Sequence, residues 1–75
     1  MKDLTKKQKE VFNTIVDFIN EHGYSPSVRE LCEIEGLSSP ATMHYHLKHL
    51  VNMGYITYVP KMSRTIRIVK GKENE

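Results

Sequence analysis

Two groups of side chains in the second half of the chain have the types and spacing to do chemistry. The first lies between residues 39 and 49 and holds Ala41, Thr42, His44, Tyr45, His46, Lys48 and His49. Histidines this close raise the question of zinc. His44 and His46 are two apart and point to different sides of a helix, and His46 with His49 cannot complete a tetrahedral site alone. Cys32 is the only cysteine, so no thiolate pair completes the set, and no metal is expected. His46 reads as a packed or hydrogen-bonded structural residue, and Cys32 as a small buried hydrophobe. Catalysis is not expected either. The sequence has no glycine-rich phosphate loop, no H-E-x-x-H and no serine in the context G-x-S-x-G, so no enzyme activity and no cofactor are implied.

What remains is recognition. Placed on a wheel at about 100° per residue, Met43, Leu47, Leu50 and Val51 gather on one side of a helix. Ala41, Tyr45, Lys48 and Asn52 gather on the other, flanked by Thr42, His44 and His49. Such a mixture of polar, aromatic and cationic groups suits base edges and thymine methyls in a DNA groove. A solvated helix could carry the same types; an exposed mid-helix tyrosine with alanine beside it argues for a partner. The second group is Lys61, Ser63, Arg64 and Arg67, and with Lys48 of the outward helix face these are residue types that hold phosphates. Ser27 and Ser39, at expected helix starts, add hydroxyls and free amides to that phosphate set.

Charge is distributed to match. Of 75 residues, 39% are hydrophobic and 27% charged, with a net charge of +2. Residues 1–35 carry five basic and seven acidic groups, whereas residues 36–72 carry six basic groups and no acidic one. An acid-free half chain reads as a basic face aimed at a polyanion. No apolar run reaches the roughly 18 residues of a membrane span, and Met1-Lys2-Asp3 opens no signal segment. With a lone cysteine suited to a reducing compartment, a cytoplasmic location is expected and no membrane partner.

These groups need elements to hold them. Thr5 with Gln8 forms a capping box, Gly23 a stop, and apolar residues from Val11 to Ile19 (Phe12, Ile15, Val16 and Phe18 among them) predict a helix over 6–22. Ser27 with Glu30 opens a short second helix that Gly36 ends, with Leu37 plugging the turn. Ser39-Pro40 predicts a hydroxyl cap followed by proline at the first helical position, and a third helix to about Met53. Tyr55–Val59 and Thr65–Val69 read as strands flanking a turn over Pro60–Arg64, with Ile56, Ile66 and Ile68 packing on the helices. The single domain spans 1–75, ordered over about 4–69, with a frayed tail at 70–75. The expected fold is mainly α with a C-terminal β-hairpin: a winged helix-turn-helix of three helices plus a wing.

Several of these stretches, taken in register, resemble the N-terminal DNA-binding domain of the LexA repressor family. They are Leu4-Thr5-x-x-Gln8-x-x-Val11-Phe12, Gly23-Tyr24-Ser25-Pro26-Ser27-Val28-Arg29-Glu30-Leu31, Gly36-Leu37-Ser38-Ser39-Pro40-Ala41-Thr42-Met43-His44, His46-Leu47-x-x-Leu50, Gly54-Tyr55-Ile56 and Ser63-Arg64-x-Ile66. The resemblance runs from about Leu4 to Val69. It implies a winged helix-turn-helix that binds palindromic operators of DNA-damage (SOS) genes. It places base reading on Ser39, Ala41, Thr42, His44 and Tyr45, and the wing on Lys61–Arg64. Thr42 and His44 are similar to the branch found in Gram-positive bacteria, whereas Tyr45 departs from the glycine or glutamate of the pattern. The self-cleaving serine–lysine half of a LexA protein is not among these residues, so the chain is expected to be a monomer that dimerises on DNA or through such a missing domain. The expected function is sequence-specific binding of double-stranded DNA by a transcriptional repressor. The rival expectations are a winged helix used as a protein-interaction module, and a stand-alone regulator from a mobile element.

Overall fold

A computed structural model of the chain describes residues 4–69; the expected fray at 70–75 lies outside them. Helix α1 spans Lys6–His22, α2 Val28–Glu35 and α3 Pro40–Asn52, followed by strands β1 (Ile56–Thr57) and β2 (Arg67–Ile68). Both expected capping boxes form. The Gln8 amide donates to Thr5 Oγ1 while Gln8 Oε1 accepts from the Thr5 amide, each at 3.1 Å. That use of its carboxamide is why Gln8 sits buried without an orphaned dipole. In α2, the Glu30 amide donates to Ser27 Oγ at 3.1 Å, and Glu30 Oε1 accepts from the Ser27 amide at 2.9 Å.

The third cap differs from expectation. Ser39 occupies the cap position, yet its hydroxyl makes no capping bond. The other two caps sit at ψ 166° and 163°, whereas Ser39 has ψ 117°. That rotation swings its Oγ away from the helix amides; the following Pro40 restricts the backbone that could bring it back. The helix ends at Asn52 with Met53 as its C-cap.

Glycines stop the first two helices in the left-handed region, Gly23 at φ 79° and Gly36 at φ 71°, where a Cβ would be strained. After Gly36 the Leu37 amide donates to the Cys32 carbonyl at 2.9 Å, which turns Leu37 back onto the core. This tight connection fixes α2 against α3. Lys7 and Thr14 of α1 both bond Glu35 at the end of α2, so the helical pair is tied at its far end to the scaffold.

Val11, Phe12, Ile15, Leu31, Met43, Leu47 and Leu50 are fully buried, and Ile56 nearly so. Phe12 meets Tyr55 edge to face at 5.3 Å between ring centroids. Phe18 lies off this stripe. It is half-buried and packs against the rings of His22 and Tyr24.

The hairpin is shorter than the sequence predicts. Only Ile56↔Ile68 and Thr57↔Arg67 pair, antiparallel. Pro60 has no donor to continue the ladder. Lys61 and Arg64 both take positive φ, 68° and 58°, which bends the chain out of strand geometry. Thr65 substitutes for the missing rungs: its Oγ1 accepts from the Val59 amide at 2.9 Å and donates to the Met62 carbonyl at 3.1 Å.

Candidate nucleic-acid interface

The two opposite faces of α3 separate cleanly. Met43, Leu47 and Leu50 lock one side into the core, and Val51 is partly buried beside them. Ser39, Ala41, Thr42, His44, Tyr45, Lys48 and Asn52 are all exposed on the helix or its start. Tyr45 stands 65% exposed, its ring meeting the His46 ring edge to face at 5.6 Å between centroids. An aromatic held out by a rigid helix presents area at little entropic cost.

Beside this face lies an open cleft of roughly 380 Å³. Ser27 and Arg29 from the first turn of α2, His44 from α3, and Lys61, Ser63 and Arg64 from the wing line it. Residues almost forty positions apart thereby meet around one concavity. Its walls are the start of α2, one side chain of α3 and the hairpin tip, a layout that lets a phosphate backbone lie between a recognition helix and a wing. Arg67 is exposed but lines a neighbouring groove with Ile19 and Tyr24 rather than this cleft. Lys48 is exposed farther along α3.

Two residues of the cleft were not singled out by sequence reasoning. Arg29 is 89% exposed along its side chain, with Glu33 3.7 Å away. It belongs to the acidic half of the chain, which drew attention from it; its signal was its place two residues after a helix cap. Met62 is 62% exposed at the wing tip, and its one signal was an apolar residue in a polar turn.

The wing tip contains an unusual lysine. Val59-Pro60-Lys61-Met62 closes with the Met62 amide donating to the Val59 carbonyl at 3.2 Å. Proline second and positive φ third make this a type II turn, whose third position ordinarily favours glycine. Lys61 occupies it at φ 68° and is exposed.

Arg64 is placed differently from the free cation expected of it. Its Nη1 donates to Glu30 Oε1 at 2.8 Å and its Nη2 to Glu30 Oε2 at 3.0 Å, a bidentate pair. Nη1 also donates to the Ser25 carbonyl at 3.1 Å, and the guanidinium lies 5.0 Å from the centre of the Tyr24 ring. The hydrogen bonds from Arg64, followed by the Ser27 amide, pull the Glu30 carboxyl down to about 2 from its ordinary 4.5. In the opposite sense, Arg64 is held even more firmly protonated by Glu30.

His46 and Cys32 pack into the fold. His46 is half-buried, its Nδ1 enclosed without a hydrogen-bond partner; burial pushes its pKa down, and the Lys7 ammonium adds to that. Cys32 is buried. Among the described residues no three His, Cys, Asp or Glu side chains group as metal ligands. No helix among them is long and apolar enough to cross a membrane.

Comparison with known proteins agrees with this geometry. The sequence pattern of the LexA DNA binding domain matches residues 1–65. The LexA repressor of Desulfatibacillum aliphaticivorans is 47% identical over 70 residues, covering 93% of this chain and 34% of that protein. That of Carboxydothermus hydrogenoformans is 40% identical over 72 residues, 96% of this chain and 35% of the relative. That of Staphylococcus aureus is 44% identical over 75 residues, all of this chain and 36% of the relative. The chain thus spans about a third of the length of the relatives it matches. With a family pattern over most of its length and a helix-turn-helix beside a wing, the chain belongs to the LexA family and carries its DNA-binding domain.

Proposed function

We propose that this domain binds double-stranded DNA sequence-specifically, as the operator-reading part of a LexA-like transcriptional repressor. One observation carries the reading: the exposed face of α3 adjoins a cleft walled by the α2 start and the wing. An α-helix fits the major groove, about 12 Å wide. In this reading Ser39, Ala41, Thr42, His44 and Tyr45 meet base edges, with Ala41 giving room for close approach. Ser27, Lys48, Lys61, Ser63 and Arg67 hold phosphates on either side, with Arg29 of the cleft added to them. The uncapped Ser39 hydroxyl is free to donate to an acceptor on DNA.

The relatives are named repressors, and the proposal extends that role to this chain: a palindromic operator, one domain per half-site, control of DNA-damage genes, and a cytoplasmic setting. The test is in vitro selection of bound duplexes from a random pool with the 75-residue chain. Enrichment of one half-site motif, or of its inverted repeat, is the expected result. A pool that shows no sequence preference after repeated rounds contradicts operator reading.

A further inference from the structure

We propose that Arg64 is a positioning residue, which latches the wing to the first turn of α2, rather than a phosphate contact. This inference rests on the DNA-binding reading above. Ile56 and Ile66 seat the base of the wing in the core, but its tip has little else to aim it. Its strands pair over two residues each, and a two-stranded ribbon that short has no fixed orientation of its own. The hydrogen bonds of Thr65 and the turn at Pro60 hold the tip together internally. They do not say where the tip points relative to α3.

Arg64 supplies that information. One guanidinium reaches three parts of the helical scaffold: the Glu30 carboxylate, the Ser25 carbonyl and the Tyr24 ring. Two residues on, the Ile66 amide donates to Ser25 Oγ at 3.0 Å, and that hydroxyl donates to the Pro26 carbonyl. Two successive anchors, one ionic and one neutral, therefore seat the base of the tip on the segment just before α2. Arg64 adopts φ 58° to do so, a conformation residues with a Cβ take only when their surroundings impose it.

Glu30 is the other half of the latch. The same carboxylate caps the Ser27 amide and receives both guanidinium nitrogens. The helix start that lines the DNA cleft and the arginine that orients the wing thus share one anchor. Two of the five guanidinium hydrogens go to the Glu30 carboxylate and a third to the Ser25 carbonyl, so the charge is matched locally and most of the donors are spent within the fold.

The test is fluorescence anisotropy of the 75-residue chain on its selected operator and on scrambled duplex, at several salt concentrations. The variants are Arg64→Ala, Arg64→Lys, Glu30→Gln, the Arg64→Ala/Glu30→Gln pair and Lys61→Ala. The latch predicts that Arg64→Ala and Glu30→Gln each weaken operator binding about five- to tenfold, the scale of coupling between neighbouring groups. The pair should lose no more than the worse single change. Arg64→Lys should fail to restore binding, because an ammonium cannot fork. The slope of log K against log salt should stay unchanged in all of these, while Lys61→Ala flattens it by about one. Glu30→Gln keeps an oxygen for the Ser27 amide, so it tests the latch even where Arg64→Ala does not fold. A salt slope flattened by Arg64→Ala, with binding unchanged or tightened by Glu30→Gln, would make Arg64 a phosphate contact and overturn the latch. Lowered melting temperature with unchanged affinity in the folded variants overturns it as well. Failure of the native chain to bind either duplex overturns the DNA reading itself.

Discussion

Single side chains here carry opposite duties to fold and to ligand, and Lys61 is the clearest. Its turn position favours glycine, and a left-handed backbone costs a residue with a Cβ on the order of 1 kcal/mol. Lys61→Gly is therefore expected to raise stability by up to about 1 kcal/mol, read from urea unfolding. The same change should weaken DNA binding and flatten its salt dependence. A variant that gains stability and keeps full affinity would show that the lysine is not there for phosphate. Glu30 gives a pH signature. Its carboxyl sits near 2 in the fold against 4.5 unperturbed, so its contribution is complete above about pH 4.5 and fades as pH falls through about 2. The native melting temperature should drop across that window more than that of Glu30→Gln; equal drops would remove the ion pair from the account. The outward set on the third helix and the tip cations were legible from type and spacing alone. Arg64 was not, because its partner lies 34 positions away and no local pattern marks a long-range ion pair.

At the scale of elements, the caps make the sharpest comparison. Thr5 and Ser27 use their hydroxyls within the helix start, and Ser39 does not. Ser27→Ala should cost about 1 kcal/mol of stability, while Ser39→Ala should cost only a few tenths. If Ser39→Ala destabilised as much as Ser27→Ala, the free hydroxyl proposed for DNA would be engaged in the fold. On the buried face, Leu47→Ala or Leu50→Ala should cost roughly 2–5 kcal/mol by leaving a cavity in a dense core. Helix boundaries were readable because boxes and glycines are local chemistry: four residues suffice to write a capping box. The failure at Ser39 has the same origin, since residue types do not report the ψ that Pro40 leaves it. The strands were overread for a related reason. β-branched and aromatic runs at 55–59 and 65–69 announce extended chain, but pairing stops where Pro60 and the positive φ values of Lys61 and Arg64 bend the loop. Phe18 packs on His22 and Tyr24 instead of entering the core, because the surface to one side of the stripe offers it aromatic partners that residue types along one helix do not report.

For the whole molecule, the charge segregation reads as an electrostatic footprint with one cation subtracted. Arg64 is matched by Glu30, which leaves five further basic residues in that half of the sequence: Lys48, Lys61, Arg67, Lys70 and Lys72. At about −0.9 per neutralised phosphate, these five with Arg29 as a sixth set a ceiling near −5.4 for the slope of log K against log salt. A slope between about −2 and −5.4 per domain is expected, and affinity independent of salt would contradict the footprint. The chain alone should occupy a single half-site weakly, and linked pairs should gain only when half-sites lie about one helical turn apart. The central claim is that α3, held by its buried face and flanked by the wing, reads bases. The most direct measurement compares Thr42→Ala, His44→Ala and Tyr45→Ala with the native chain on the selected operator and on scrambled duplex, with melting curves to confirm folding. Each variant should lose on the order of 1–3 kcal/mol on the operator and far less on the scrambled duplex. Equal losses on both duplexes would mean that α3 is not the reader.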